Sequence, residues 1–405
     1  MLPAVPESGR FLGFWQYCRA LSGLRVEIVY LKLLKVYRFY RIYGFSRTLY
    51  KLVGRYRLLG RSISRLRVGR LNRQKLNVGI IGCGQFAFAT VGYFLGKSGS
   101  YRFTRAYDPN VNALDSFCEF YKVASPVSLV EDFDYSDLDV VYIASNHASH
   151  SEYALQALRH GVAAYVEKPL SVNWDQFSAL GAAISEHKAE IYVGYNRPFS
   201  KAIDTLKRFN AGMDSPFTLS CFVVGHFIES DHWYREPSEG TRVCGNLGHW
   251  LDLSMHLLFT KTLPEFLDVR LSVADQEAPD DNLSVSITSS NGDLINLILT
   301  SRAEPFEGIN ETVSFNQDDL IVTITDFREA RFWKGHRYLR EKYRPKDVGH
   351  GKAILQHLHR DKCRRNIDEI RVSTALMLEI KDMVLSAKQE LRFFPDAKKY
   401  RWTTV

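Results

Sequence analysis

From about residue 76 the chain alternates short apolar runs with amphipathic stretches. Residues 76–82 form an apolar run that ends in glycine, and 88–97 carry helical spacing. Residues 101–107 read as a second strand stopping at Asp108, followed by a helix over 111–122. A β-rich core run at 138–144, a helix at 149–160, a strand at 163–166, a helix at 173–186 and a strand at 190–193 continue the pattern. Strands and helices alternating at this spacing predict a doubly wound parallel sheet. Beyond about Arg197 the period changes. A helix over 201–208 precedes long β-type stretches at 217–227, 267–274, 283–289, 294–301 and 311–325, with Asn291-Gly292 as a hairpin turn between two of them. Two helices, 352–360 and 373–390, close the pattern.

The fold class expected is therefore an α/β Rossmann domain (doubly wound parallel sheet) followed by an α+β domain with a large, mostly antiparallel sheet. A helical basic N-terminal extension precedes both. The boundaries expected are 1–70 for the arm, 71–196 for the dinucleotide-binding domain, 197–392 for the substrate and oligomerisation domain, and 393–405 for a tail. In the arm, residues 14–43 are rich in aliphatic and aromatic residues and free of proline. Lys32, Lys35, Arg38 and Arg41 recur every third residue, drifting around one side of a helix. Gly44, Gly54 and Gly60 are expected to divide the remainder into short pieces.

Composition changes this picture in one place. The chain has 405 residues, 45% hydrophobic and 24% charged, which is a globular composition. Its net charge of +8 is unevenly spread: residues 1–70 hold 15 Lys/Arg against Glu7 and Glu27, leaving the rest mildly acidic. The six cysteines are scattered, which suggests neither a zinc set nor a disulfide framework and points to a reducing, cytoplasmic setting. The arm lacks the layout of a signal peptide, and its charges interrupt every window long enough to span a bilayer.

The candidate chemistry starts at Gly82-Cys83-Gly84-Gln85-Phe86-Ala87, a G-x-G-x-x-A placed after a buried strand and opening a helix. Gly82 permits the tight turn, Gly84 lets a pyrophosphate approach the backbone, and Ala87 keeps helix and strand close; Gln85 and Phe86 sit in the helix's first turn. Asp108, at the end of the second strand, is placed to bind ribose hydroxyls and to favour NAD(H) over NADP(H). Glu167-Lys168-Pro169 follows a strand, so Lys168 faces the crevice at the carboxyl edge of the sheet.

In order along the chain, residues 78–87, Tyr107-Asp108-Pro109-Asn110, 144–150, Glu167-Lys168-Pro169, Val193-Gly194-Tyr195-Asn196-Arg197 and Gly248-His249-Trp250-Leu251-Asp252 resemble motifs of the glucose-fructose oxidoreductase / inositol dehydrogenase (Gfo/Idh/MocA) family. Asp326-Phe327-Arg328 and Gly349-His350-Gly351-Lys352 resemble features of that family's second domain. The resemblance implies that Lys168 and His249 are catalytic. It places Asn146 and Glu167 near the nicotinamide ribose and amide, matches the cofactor-binding His150 to the histidine that opens the next helix, and sets Tyr195 and Asn196 around the substrate, where Asp252, three residues after His249, is expected on the same helix face. One departure stands out: many members have an aspartate four residues before the histidine, where this chain has Gly245. No metal is expected.

The resemblance further implies hydride transfer to or from a carbinol carbon of a sugar, sugar nucleotide or cyclitol, in a homo-oligomer formed through the second sheet. A catalytically altered binding or scaffold protein is the alternative. The arm, outside the resemblance, reads as a basic aromatic helix suited to an anionic membrane surface, or to a partner, or to packing on the body. No recognition motif accompanies its charge, so nucleic acid is the least expected partner. The location expected is cytoplasmic, with the arm against the inner face of a membrane.

Overall fold

The computed structural model describes residues 8–57, 75–187, 190–359, 365–396 and 400, with side chains from residue 30 onward. Residues 58–74, which take in the expected break at Gly60, the end of the arm and the first residues of the dinucleotide-binding domain, and most of the tail lie outside the described residues.

The first sheet has six parallel strands: β1 (Leu76–Ile81), β2 (Tyr101–Tyr107), β3 (Ser125–Val127), β4 (Val140–Ile143), β5 (Ala163–Val166) and β6 (Ile191–Val193). Their order is β3-β2-β1-β4-β5-β6, so the chain reverses its direction of travel between β1 and β4. That reversal is the switch point outside which ligands bind in open α/β sheets. The central strands are apolar on both faces because helices cover both: β4 is buried at every position. The crossover helices are α2 (Gly92–Ser98), entered through a π-turn at Ala87–Val91, then α3 (Val111–Tyr121), α4 (His150–Arg159) and α5 (Trp174–His187). Asn110 caps α3, accepting a hydrogen bond from the Ala113 amide at 3.1 Å.

After α6 (Lys201–Phe209) comes a nine-stranded sheet built from β7 (Phe217–Val224), α7 (Gly248–Leu258) leading to β8 (Leu267–Val273), β9 (Leu283–Ser289), β10 (Leu294–Thr300), β11 (Asn310–Gln317), β12 (Leu320–Thr325), β13 (Glu329–Lys334), β14 (Arg337–Lys342) and, after α8 (His350–Ile354) and α9 (Ile367–Leu385), β15 (Glu390–Phe393). All pairings are antiparallel except β7 with β10. The stretch 311–325 is not one strand but two, folded back at Asp318, which adopts φ +48°. One face of this sheet is covered: Leu219, Cys221 and Val223 are buried while Phe222 between them stays exposed.

The arm forms α1 (Ser8–Tyr56), bent at Gly44 where φ is +80°. Gly54 does not break it. A β-carbon there would lie 2.7 Å from the Phe88 ring, so this glycine lets α1 cross the π-turn at close range. Packing on the body is what the contacts of residues 35–57 show. Arg38 pairs with Glu307 at 3.2 Å, and Lys35 and Arg38 both lie over Phe306. Among the described residues no helix is long and apolar enough to cross a membrane.

Candidate active site

The glycine turn hangs between the ends of β2 and β4. The Gly82 amide donates to the Tyr107 carbonyl at 2.9 Å, and the Ala144 amide to the Ile81 carbonyl at 2.8 Å. Gly82 has φ +89°, and a β-carbon on it would meet the Ala144 carbonyl at 2.5 Å, so two independent constraints demand glycine. Nothing lies within 4 Å of where a Gly84 side chain would begin. That open floor, below the unpaired amides of a helix start, fits a pyrophosphate. Ala87 is fully buried. Asp108 accepts the Cys83 amide at 2.6 Å through Oδ2 and the Asn110 amide at 2.8 Å through Oδ1. Each oxygen keeps a further acceptor position for ribose hydroxyls. Gln85 turns to the arm, donating to the Lys51 carbonyl at 3.0 Å, and the Phe86 ring meets His350 at 5.8 Å.

Across the switch point, Lys168 leaves the end of β5 and donates to the Gly245 carbonyl at 2.6 Å. Two of the three ammonium protons remain for a substrate oxygen. Burial pushes the lysine down from its ordinary range, and the adjacent Glu167 carboxylate opposes that shift. Glu167 is itself pushed up by burial, against a 2.8 Å hydrogen bond from the Tyr165 hydroxyl. Gly194 makes room for this carboxylate: a β-carbon there would sit 2.7 Å from it.

His249 completes the cluster. Its ring stands edge-on to Tyr195 at 5.9 Å, and its Nδ1 is buried without a partner. An orphaned buried nitrogen is expected to be met by a ligand or water. Burial, followed by the positive charges of Arg197 and Lys168, holds His249 well below the ordinary imidazole range, so the ring is neutral. His350 and His147 share this neighbourhood and are held down by burial as well.

The missing carboxylate has been replaced by volume. A β-carbon on Gly245 would lie 2.1 Å from the Tyr234 hydroxyl oxygen and 2.2 Å from two carbons of its ring. Tyr234 therefore fills the space into which a side chain at 245 would grow, and its ring packs 4.7 Å from His147. Sequence reasoning missed Tyr234, which lies in an irregular loop; the only pointer to it was the unexpected glycine.

Other expected site residues serve as fasteners. Asn146 donates to Glu239 at 2.6 Å, and that carboxylate also accepts the Ala148 amide at 3.2 Å. His150 lies with Nδ1 2.9 Å from the Pro169 carbonyl and Nε2 3.2 Å from the Ser145 carbonyl, tying the loop after β4 to the lysine loop. Asn196 donates to the Val348 carbonyl at 2.6 Å and accepts from Arg197 at 2.9 Å, so both ends of its amide are taken. Asp252, expected beside the substrate, turns both carboxylate oxygens to Arg365, whose Nη1 donates to Oδ1 at 2.8 Å and to Oδ2 at 2.6 Å. Tyr195 presents its ring to His249 while its hydroxyl reaches the Met377 sulfur at 3.2 Å. Among the described residues no group of three or more His, Cys, Asp or Glu is arranged to hold a metal ion.

Comparison with known proteins bears on the first domain and on the fold. Residues 76–195 match the Gfo/Idh/MocA model, described as an oxidoreductase family with an NAD-binding Rossmann fold. Oxidoreductase P35 of Formosa agariphila is 30% identical over 124 residues, 30% of this chain and 39% of that protein. The chain thus spans about two fifths of the length of the curated relatives it matches. Among solved structures, GenD2 from gentamicin A biosynthesis, in complex with NAD, superposes with a TM-score of 0.65 at 16% identity, over 80% of this chain and 98% of that one. UDP-N-acetylglucosamine 3-dehydrogenase GnnA from Acidithiobacillus ferrooxidans gives 0.62 at 18% identity, over 77% and 98%. At these identities the likeness is one of fold.

Proposed function

Taking residues 76–195 as the NAD-binding Rossmann domain of a Gfo/Idh/MocA-family oxidoreductase, we propose that the protein is an NAD(H)-dependent dehydrogenase acting on a carbinol carbon of a sugar, sugar nucleotide or cyclitol. The observation that carries the reading is the cluster of Lys168 and a neutral His249 with an orphaned nitrogen, across the switch point from the glycine cradle. The dinucleotide, when bound, supplies or accepts hydride.

The chain's own residues do the rest. Gly82, Gly84 and the helix start hold the diphosphate, and Asp108 takes the adenosine ribose. Lys168 hydrogen-bonds the substrate oxygen and stabilises negative charge on it, the hydroxyl proton passing to the unpaired nitrogen of neutral His249 as hydride leaves the carbon, and returning from it in the reverse direction. The depressed proton affinity of Lys168 makes it a better acid near neutrality than an exposed lysine. Neutral His249 orients the reacting hydroxyl through its unpaired nitrogen. Tyr195 walls the same space. GnnA, by its name, acts on UDP-N-acetylglucosamine, which supports a sugar-nucleotide substrate within this class.

The test is a panel of sugars, cyclitols and sugar nucleotides followed at the reduced-nicotinamide absorbance band, with Lys168→Met beside the wild type. Turnover lost in that variant with NADH affinity retained supports the reading. A physiological role that survives Lys168→Met unchanged favours the scaffold alternative, which Gly245 motivates.

Two surfaces extend the proposal. The outer face of the second sheet exposes Phe222, Leu294 and Ile321, which suits self-association and is checked by light scattering on the purified chain. Tyr30, Leu33, Tyr37 and Tyr40 project from α1 beside Lys32 and Arg41, which suits an anionic bilayer and is checked by flotation with phosphatidylserine vesicles.

A further inference from the structure

The end of α1 reaches the cofactor loop. Lys51 accepts Gln85 through its carbonyl, Gly54 lies against Phe88 and Gln85, and one turn later Arg57 turns its guanidinium onto the glycine turn itself. Both terminal nitrogens of Arg57 donate to the Cys83 carbonyl at 3.4 Å, and Nη1 donates to the Ser116 hydroxyl of α3 at 2.7 Å. The amide of the same Cys83 is held by Asp108 at 2.6 Å. A carboxylate and a guanidinium thus grip the two backbone groups of one residue, at the ribose end of the cradle.

Among the described residues Arg57 makes no ion pair. Its partners among the described residues are a carbonyl, a hydroxyl and the Phe88 ring face at 5.8 Å. A full positive charge held by neutral acceptors beside a phosphate cradle is arranged for an anion, and the planar fork suits phosphate oxygens.

We infer that Arg57, delivered by the N-terminal arm, is part of the dinucleotide site and contacts a phosphate of the bound cofactor. The inference rests on the NAD-binding reading of the glycine turn and adds to it a cation from outside the Rossmann domain. It also makes the docking of α1 and the binding of cofactor thermodynamically coupled, because each stabilises the position of the same side chain. With the Asp108 carboxylate at the ribose end opposing a 2′-phosphate, the phosphate is the diphosphate common to NADH and NADPH.

The test titrates the full-length chain with NADH and with NADPH, following energy transfer from protein to nicotinamide. Arg57→Gln is expected to weaken binding by about tenfold, the scale of one charge-assisted hydrogen bond, with Arg57→Lys intermediate. Equal losses for the two cofactors identify the diphosphate, and a loss confined to NADPH overturns that assignment. Ser116→Ala, which removes only the anchor of the guanidinium, is expected to give a smaller loss in the same direction. Unchanged titrations in Arg57→Gln overturn the inference. So does a loss that Ser116→Ala and Arg57→Lys do not share while the cofactor-free melting temperature of Arg57→Gln falls, since that is the mark of an undocked helix. A wild-type chain that binds neither cofactor overturns the dinucleotide reading itself.

Discussion

Gly82 is fixed by backbone angle and by the Ala144 carbonyl at once, so neither a local bend nor a side-chain shift accommodates a methyl there. Gly82→Ala is expected to cost about 2–4 kcal/mol of stability and to abolish measurable NADH binding, read by urea melts and fluorescence titration. Gly245 and Tyr234 form a different kind of constraint, because the obstacle is a ring in a loop. Gly245→Asp should lower stability by roughly 2 kcal/mol alone, and Tyr234→Ala should relieve that loss; a double-mutant cycle with no coupling between the two would show that the ring does not fill the vacancy. His150 makes a pH prediction. Burial holds it at about 4, against the backbone carbonyls that favour its charged form. The unfolded chain titrates near 6.5, so between about pH 6.5 and 4 the unfolded state binds the extra proton and stability falls on acidification, by roughly 3 kcal/mol from this group. The drop in urea midpoint from pH 7.5 to 5 should shrink in His150→Asn. At this scale the sequence was most legible where chemistry is local: the glycine turn and Asp108 are read from spacing and the strands before them. Tyr234, Glu239 and Arg57 reach the site through loops or a separate helix, and no periodicity marks such residues.

Elements were legible where burial imposes a period. β2, β5 and β9 fall where alternation or apolar runs place them, because each has a covered face that polar residues cannot share. β14 escaped because Arg337–Lys342 is exposed along almost its whole length and carries four charges in six residues, leaving nothing for a period-two pattern to register. The 311–325 run reads as one strand in sequence because Asp318-Asp319 is a turn without glycine or proline. The arm shows the opposite failure: Gly54 signals a break in sequence, yet in the fold it is the crossing point of α1 on Phe88. Gly54→Ala therefore separates two effects of opposite sign. Helix propensity favours alanine by about 1 kcal/mol, whereas the added carbon lies 2.7 Å from a buried ring. The clash should win, so the variant melts below the wild type by a few degrees; a higher melting temperature would mean that α1 rides farther from the π-turn.

The two domains meet through polar bonds that cross the cleft as well as through apolar packing. Lys168 reaches the Gly245 carbonyl, Asn146 and the Ala148 amide reach Glu239, Tyr142 donates to the Ile354 carbonyl at 2.7 Å, and Gln356 donates to the Val193 carbonyl at 3.1 Å. The Lys168, Asn146, Ala148 and Gln356 bonds lie at the carboxyl edge of the first sheet, so the surface proposed to receive cofactor and substrate also helps hold the halves together, while the Tyr142 bond lies on a face of that sheet. Glu239 is the sharpest case, because it is a buried carboxylate on the second domain whose partners all belong to the loop after β4. Glu239→Ala leaves the Asn146 side chain and the Ala148 amide without their acceptor, which should cost about 2–3 kcal/mol and release the loop after β4. If the halves are one cooperative unit, wild-type unfolding in urea gives a single transition: tryptophan fluorescence, which reports Trp233, Trp250 and Trp333 of the second domain together with Trp174 of the first, coincides with loss of bound NADH, which reports the glycine cradle of the first alone. In Glu239→Ala the NADH transition should move to lower urea ahead of the fluorescence one. Coincident transitions in both proteins would mean that apolar packing, not the carboxylate bridge, couples the domains.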